Sequence, residues 1–319
     1  MGDIWRDGIY GLVTADALGV PVEFENRSAR ILDPVEDMRG YGVHNQVPGT
    51  WSDDSSMTIA TLDSIFEKDG IDYEDIMIRF GNWCLYGDYT CGGELFDIGN
   101  TTVDAIKRWG RGAKPLDSGA VEEYSNGNGS LMRVLPACLF LYEEEKKGKI
   151  SERQCVGTIC DISSLTHAHL RSQIACSIYY FLVKAILDYT DESLIDRLQK
   201  GMDASIYYIN SENRMEYKNF NRLFDLHRFK DTPENEISSS GYVIDSLEAV
   251  VWSLLNTSSY SEAVLKAVNL GDDTDTVGAI AGGLAGIYYG FDGIPCEWVE
   301  VLQGKNLINE ILNKCPDSL

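Results

Sequence analysis

The segment VGAIAGGLAGIYYG (277–290) constrains this chain more than any other, because it is built almost wholly of Gly, Ala and Ile. It reads as a buried helix whose small side chains let neighbouring helices approach closely. The stretch LGDDTDT leads into it, crowding Asp272, Asp273 and Asp275 at the mouth of an apolar element. A helix N-terminus accepts acids, since its free N–H groups and positive dipole end favour them. One Asp as cap and one in the first turn are ordinary. Three repel one another where water is scarce, and a hard divalent cation such as Mg²⁺, Mn²⁺ or Ca²⁺ would relieve that repulsion. Acidic caps without an ion remain the simpler account of this stretch taken alone.

Helical patterning extends over most of the chain. SDDSSMTIATLDSIFEK, SSLTHAHLRSQIACSIYYFLVKAIL, TDESLIDRLQKGMDASI and GYVIDSLEAVVWSLLN each carry apolar residues at helical spacing after a polar entry. In the last, Val243, Leu247, Val250, Val251 and Leu254 share one face. Alternating strand patterns are scarce. The expectation is an all-α fold, one compact multi-helix domain over residues 1–319, with a site in a cleft at helix ends. Candidate loops are 40–52, 86–100, 110–130 and 210–240, and YEEEKKGKISERQ (142–154) reads as a solvated helix end and turn.

Composition narrows the function. A net charge of −23 argues against nucleic acid as a partner, because that binding neutralises phosphates with Lys and Arg. An anionic small ligand would need local help from backbone N–H groups or bound cations. No apolar run reaches membrane-spanning length, so no membrane partner is expected. The first residues lack a secretory n-region. Eight cysteines without a C-x-x-C pair suit reduced thiols, and a cytoplasmic location is expected.

No phosphate-loop, dinucleotide-binding or H-E-x-x-H signature occurs, and there are only four histidines, so any metal site must be oxygen-rich. GTWSDDSSMTIA (49–60) repeats the acidic pattern at the start of a second amphipathic helix. By itself Ser52-Asp53 is simple capping. If the two helix starts meet, however, Ser52, Asp53, Asp54, Asp273, Asp275 and Thr276 could hold two octahedral ions with shared carboxylates.

These stretches together resemble the ADP-ribosylglycohydrolase family. GLVTADALGVPVEF (11–24) looks like its opening helix and turn, WSDDSSMT is similar to its Thr-Asp-Asp metal motif, and FDIGNTT (96–102) resembles its Asp-x-Gly loop. NGNGSLMRVLP (126–136), SLTHAHLRS (164–172), SSGYVIDSLEAVVW (239–252) and VNLGDDTDTVGAIAGGLAGIYYG (268–290) match further motifs in the family's order. Three positions depart from the pattern: Ser52 stands for Thr, Asp272 for Gly, and Ala15 for Gly in the opening helix. The resemblance implies cleavage of the bond between C1″ of ADP-ribose and a protein side chain, arginine first, using two divalent cations, Mg or Mn. Free or O-linked ADP-ribose derivatives and a non-catalytic, crystallin-like scaffold are the alternatives. It implies that Asp97 is the general acid/base, against a cap for a helix starting near Asn100, and that Glu23 is an acid near the metals, against a surface Glu. Gly127, Asn128, Gly129 and Ser130 could turn backbone N–H groups to the pyrophosphate, against a tight turn. His167 matches a ribose or phosphate contact, against a structural His. Tyr242 is a candidate to stack on adenine, against a core Tyr.

Overall fold

The computed structural model describes residues 3–209 and 214–315. Helices begin where side chains satisfy the free N–H groups of a first turn. Asp3 caps α1 (Ile4–Gly19), Asn26 caps α2 (Arg27–Leu32) and Ser52 caps α3 (Asp53–Lys68). Asp72 opens α4 (Tyr73–Tyr86), which ends at Gly87 in the left-handed conformation. α5 (Asn100–Gly110) and α6 (Leu135–Lys146) start without a side-chain cap. A capping box of Ser151 and Gln154 starts α7 (Glu152–Ser164), and His169 caps α8 (Leu170–Asp188). α9 (Leu194–Ile209), α10 (Arg214–Tyr217) and α11 (Leu226–Phe229) follow. α12 (Val243–Leu255), α13 (Tyr260–Val268) and α14 (Thr274–Tyr289) complete the interior, and α15 (Cys296–Val301) and α16 (Lys305–Leu312) close the chain. The described residues contain isolated β-bridges but no strand, so the fold is all-α as expected.

The small-residue segment does what its composition demands. It is the buried helix α14, and its contact with α1 is the most extensive of any helix pair. Asp7 lies opposite Gly286, Gly11 opposite Gly282, Ala15 opposite Gly278, and Gly19 opposite Thr274 and Asp275, so the two run antiparallel. A Cβ at Gly11 would overlap the carbonyl of Gly282, and one at Gly282 would overlap the carbonyl of Gly11 and the methyl of Ala15. Ala15 therefore fills the interface with its methyl against Gly282. The consequence for the site is direct. Antiparallel docking at this separation carries the C-terminal end of α1, with Asp16, and the turn after it, with Glu23, to the N-terminal end of α14. α13, α12 and α8 pack on α14, while α6 and α3 lie along α1.

Two expected elements differ. The stretch 163–187, read as a helix after a polar entry, is helical from Leu170 only, because α7 runs to Ser164 and a turn follows that holds His167. The 19 residues of α8 are long and apolar enough to cross a membrane, but most of that stretch is buried inside the protein. The loop read over 210–240 contains α10, α11 and 3-10 turns, with residues 210–213 outside the described residues. Tyr217, Phe220, Leu223, Leu226 and Phe229 are buried there, and their near-threefold spacing folds the polar segment into helical turns.

Candidate active site

The two acidic helix starts, more than 200 residues apart in sequence, meet. Thr276 Oγ1 donates to Asp54 Oδ2 at 3.2 Å and Ser52 Oγ donates to the same oxygen at 3.0 Å. Asp275 Oδ1 accepts from the N–H of Thr276 at 2.8 Å. Carboxylate oxygens of Asp16, Asp54 and Asp275 lie within 4.8 Å of one another, and so do those of Glu23, Asp273 and Asp275. Asp275 belongs to both triads, as a bridging carboxylate between two adjacent cations would.

Charge balance tests whether this cluster fits a metal. Asp54 Oδ1 and Asp275 Oδ2 are buried without a hydrogen-bond partner. Burial, and after it the neighbouring carboxylates, push Asp53, Asp54 and Asp275 well above the usual carboxylate range. No Lys or Arg is among their leading influences. Hard oxygen donors packed together with no Lys or Arg among their leading charges fit divalent ions. Asp53 belongs to neither triad, feels the charges of Asp16 and Glu23, and lies in hydrogen-bond reach of Asp97.

Asp16 joins the cluster without having been singled out in the sequence. Its two oxygens accept from the N–H of Ser52 at 3.0 and 3.1 Å, and Oδ2 also accepts from Ser55 N at 3.0 Å and Ser55 Oγ at 2.5 Å. It thus seats the start of α3 on α1. Burial pushes its carboxyl up to about 6 despite those donors. The signal was an Asp within an apolar helix whose neighbours one turn away, Leu12, Val13, Gly19 and Val20, offer no charge partner.

Glu23 is buried, not a surface residue. Burial pushes it up to about 7, opposed by a hydrogen bond with His44 Nε2 and reinforced by Asp97 and Asp273. The rings of Phe24 and Phe96 flank His44 at 5.9 and 5.1 Å. Phe24 and Asp272 both take left-handed backbone conformations, with φ of 64° and 60°, and are tied by Phe24 N–H to Asp272 O at 2.7 Å. The Asp272 side chain is exposed, so this departure from the family's Gly adds no ligand to the cluster. Asp97 is half-buried and does not cap α5, whose N-cap is Gly99 without a side-chain bond.

The glycine loop is more committed than a free set of N–H donors. Asn128 N–H donates to Gly241 O at 3.0 Å, and Asn128 Nδ2 donates to Ser246 Oγ at 2.9 Å and Asp273 Oδ2 at 2.7 Å. Asn128 therefore orients a site carboxylate and has no donor left for a phosphate. Ser130 is fully buried, with its hydroxyl turned to Ser163 and Cys176. Gly129 is small because the His167 ring lies against it: a Cβ there would sit 2.9 Å from His167 Cε1, whereas one at Gly127 would be in ordinary contact with that ring. Tyr242 is half-buried at the start of α12, bridged to Gly127 and with the Arg171 guanidinium 5.9 Å from its ring centroid, so it is not a core Tyr.

Known proteins align with this chain over nearly its whole length. The sequence pattern of the ADP-ribosylglycohydrolase family matches residues 3–318. ADP-ribosylarginine hydrolase Tri1 of Serratia proteamaculans is 31% identical over 96% of this chain and 77% of its own. The ADP-ribosyl-[dinitrogen reductase] glycohydrolase of Rhodospirillum rubrum is 28% identical over 92% of this chain and 88% of its own. A solved ADP-ribosylglycohydrolase-related protein complex superposes with a TM-score of 0.75 at 26% identity, covering 99% of this chain and 98% of that one.

Proposed function

Because this chain belongs to the ADP-ribosylglycohydrolase family, we propose that it is a divalent-metal-dependent hydrolase that removes ADP-ribose from modified arginine side chains of proteins. The supporting observation is the pair of carboxylate triads sharing Asp275, with two unpartnered buried oxygens and no Lys or Arg among the leading charges on Asp54 and Asp275. Ser52, Asp53, Asp54, Asp273, Asp275 and Thr276 would hold two cations, Mg²⁺ or Mn²⁺, with Asp16 and Glu23 beside them. Such ions supply Lewis acidity that orients hydroxyl groups and makes a water more nucleophilic.

The chain's own residues account for the rest of the chemistry. A water oxygen bonds to C1″ while the bond from C1″ to the guanidinium nitrogen breaks, and that nitrogen must gain a proton. Asp97, half-buried beside Asp53, moves the proton at its carboxyl oxygen. Glu23 is the second acid, and its hydrogen bond with His44 Nε2 fixes its orientation. Asn128 holds Asp273 in place. Gly127 and Gly129 let a ligand approach closely, and His167 and Tyr242 flank that approach. The retained acids weigh against a non-catalytic scaffold.

The test is incubation with arginine- and serine-ADP-ribosylated peptides, each with Mg²⁺, Mn²⁺ or a chelator. Release from the arginine peptide only, abolished by the chelator, is the expected result. Release from the serine peptide alone would move the substrate class. No release from either peptide with metal present would sink the reading.

A further inference from the structure

Arg133 poses a problem that the site described so far does not absorb. Its guanidinium is fully buried without a carboxylate partner. Its Nη2 donates to Ile162 O at 3.1 Å and to Thr166 Oγ1 at 2.8 Å, and the Phe80 ring centroid lies 4.9 Å from its Cζ. Nε and Nη1 have no partner. A lone buried cation is expensive, so its placement invites a functional account.

The second half of the arrangement is His167. Thr166 Oγ1 lies 2.9 Å from His167 Nδ1, and both residues are buried. Ser163 pins the His167 backbone from both sides, accepting its N–H at 2.8 Å and donating Oγ to its carbonyl at 2.9 Å. Proton counting then determines the tautomer. An arginine only donates, so Thr166 Oγ1 accepts from Arg133. The hydroxyl has a single hydrogen, and among the described residues its remaining neighbour is His167 Nδ1. The opposite direction would leave a buried hydroxyl hydrogen without an acceptor, which is costly, so Nδ1 accepts and the ring hydrogen sits on Nε2. Burial and the nearby Arg133 push His167 down to about 3, so the ring is neutral and has one hydrogen to place. Nε2 faces the glycine loop, where a Cβ at Gly127 or Gly129 would stand 3.5 or 3.4 Å from it.

We propose that Arg133 and Thr166 are positioning residues that hold His167 as the Nε2–H tautomer, a fixed hydrogen-bond donor to an acceptor oxygen of the ligand beside Gly127 and Gly129. The relay gives a strongly acidic protein a directed donor for an oxygen-rich ligand. Its ligand half rests on the reading that the cleft takes ADP-ribose; its tautomer half does not.

The experiment uses the full chain with ¹⁵N-labelled histidine, read by long-range ¹H–¹⁵N correlation of the imidazoles near neutral pH, with Asn in place of His167 (His167→Asn) to assign the signal. Thr166→Val removes the hydroxyl at constant shape, and Thr166→Ser restores it. The expected result is Nε2–H in the wild type and in Thr166→Ser, and a shift toward Nδ1–H in Thr166→Val. In calorimetry, Thr166→Val should weaken ADP-ribose binding about three- to tenfold, the worth of one hydrogen bond, with Thr166→Ser close to wild type. Nδ1–H in the wild type, or an unchanged tautomer in Thr166→Val, would overturn the relay. Unchanged ADP-ribose affinity in a Thr166→Val protein with a shifted tautomer would overturn the donor role. If the wild type binds no ADP-ribose, the functional reading falls while the imidazole spectra still decide the relay.

Discussion

Replacing Asp275 with Asn should make the metal-free protein more stable and cut the stability it gains from metal. Asp275 Oδ1 accepts from Thr276 N–H at 2.8 Å, and an Asn carbonyl preserves that bond. Oδ2 has no partner, and an amide NH₂ there meets carboxylates able to accept from it. Unit charges at the 4.8 Å that bounds the cluster's oxygen separations repel by about 3.5 kcal/mol per pair at an effective dielectric of about 20. The wild type without metal escapes this by protonation. Taking an ordinary Asp from its unfolded value to the protonated form at about pH 7.5 costs about 5 kcal/mol, which caps the gain. A stabilisation between about 1 and 5 kcal/mol is expected by denaturant titration in chelator at about pH 7.5. The pH dependence follows from the raised carboxyl. A carboxyl held above its unfolded value favours the fold at low pH and loses that contribution as pH rises. Asn has no such loss, so its advantage should shrink toward zero near pH 4. With metal at about one hundred times its dissociation constant, the wild type gains about 2.7 kcal/mol, and the variant should gain far less. A variant less stable than wild type in chelator at about pH 7.5, or an advantage independent of pH, would refute the charge-balance argument.

Asp97→Asn should lower turnover of ADP-ribosylated arginine peptide by roughly a hundredfold or more, with metal-induced thermal stabilisation retained. Asp273→Asn should lose metal binding and turnover together, and a metal titration followed by melting temperature separates the two. Gly282→Ala drives a methyl into the Gly11 carbonyl and the Ala15 methyl. It should destabilise by about 1–3 kcal/mol despite the better helix propensity of Ala and weaken metal binding by separating α1 from α14; a more stable variant would contradict the packing argument. Glu248, buried beside Arg222, is pushed up to about 7 by burial. Its contribution is complete below its unfolded value and disappears as pH rises through about 7. Glu248→Gln should therefore gain on the wild type by up to about 3 kcal/mol between about pH 4.5 and 8, read as the difference between two denaturation series in saturating metal.

The local chemistry of the site was legible in the chain. A hydroxyl and two acids at a helix start depend on residues within one turn of each other, so Ser52-Asp53-Asp54 and Asp273-Thr274-Asp275-Thr276 announce themselves without tertiary information. The run of Gly and Ala behind the second set likewise declares that another backbone comes close, because nothing else makes use of so little side chain. Family resemblance added Asp97, Glu23 and His167. It did not say that Glu23 is buried against His44, that Asn128 and Ser130 turn their polar groups to protein partners, or that Arg133 reaches His167 through Thr166.

Those pairings belong to the tertiary structure, and the reason is geometric. Side chains a turn apart on a helix share a face whatever the fold, whereas contact between residues 36, 145 or 222 positions apart depends on how rigid helices dock. The antiparallel seating of α1 on α14, set where Gly11 and Gly282 let carbonyls approach, decides that Asp16 and Glu23 arrive at the mouth of α14. From that single placement follow the seating of α3 on Asp16, the meeting of Asp54 with Thr276, and the sharing of Asp275 between two triads. The amino-acid sequence determined which residues could serve a cation and an anionic ligand; the distance between two helix axes decided which of them face each other with water excluded, and so which carry perturbed charge.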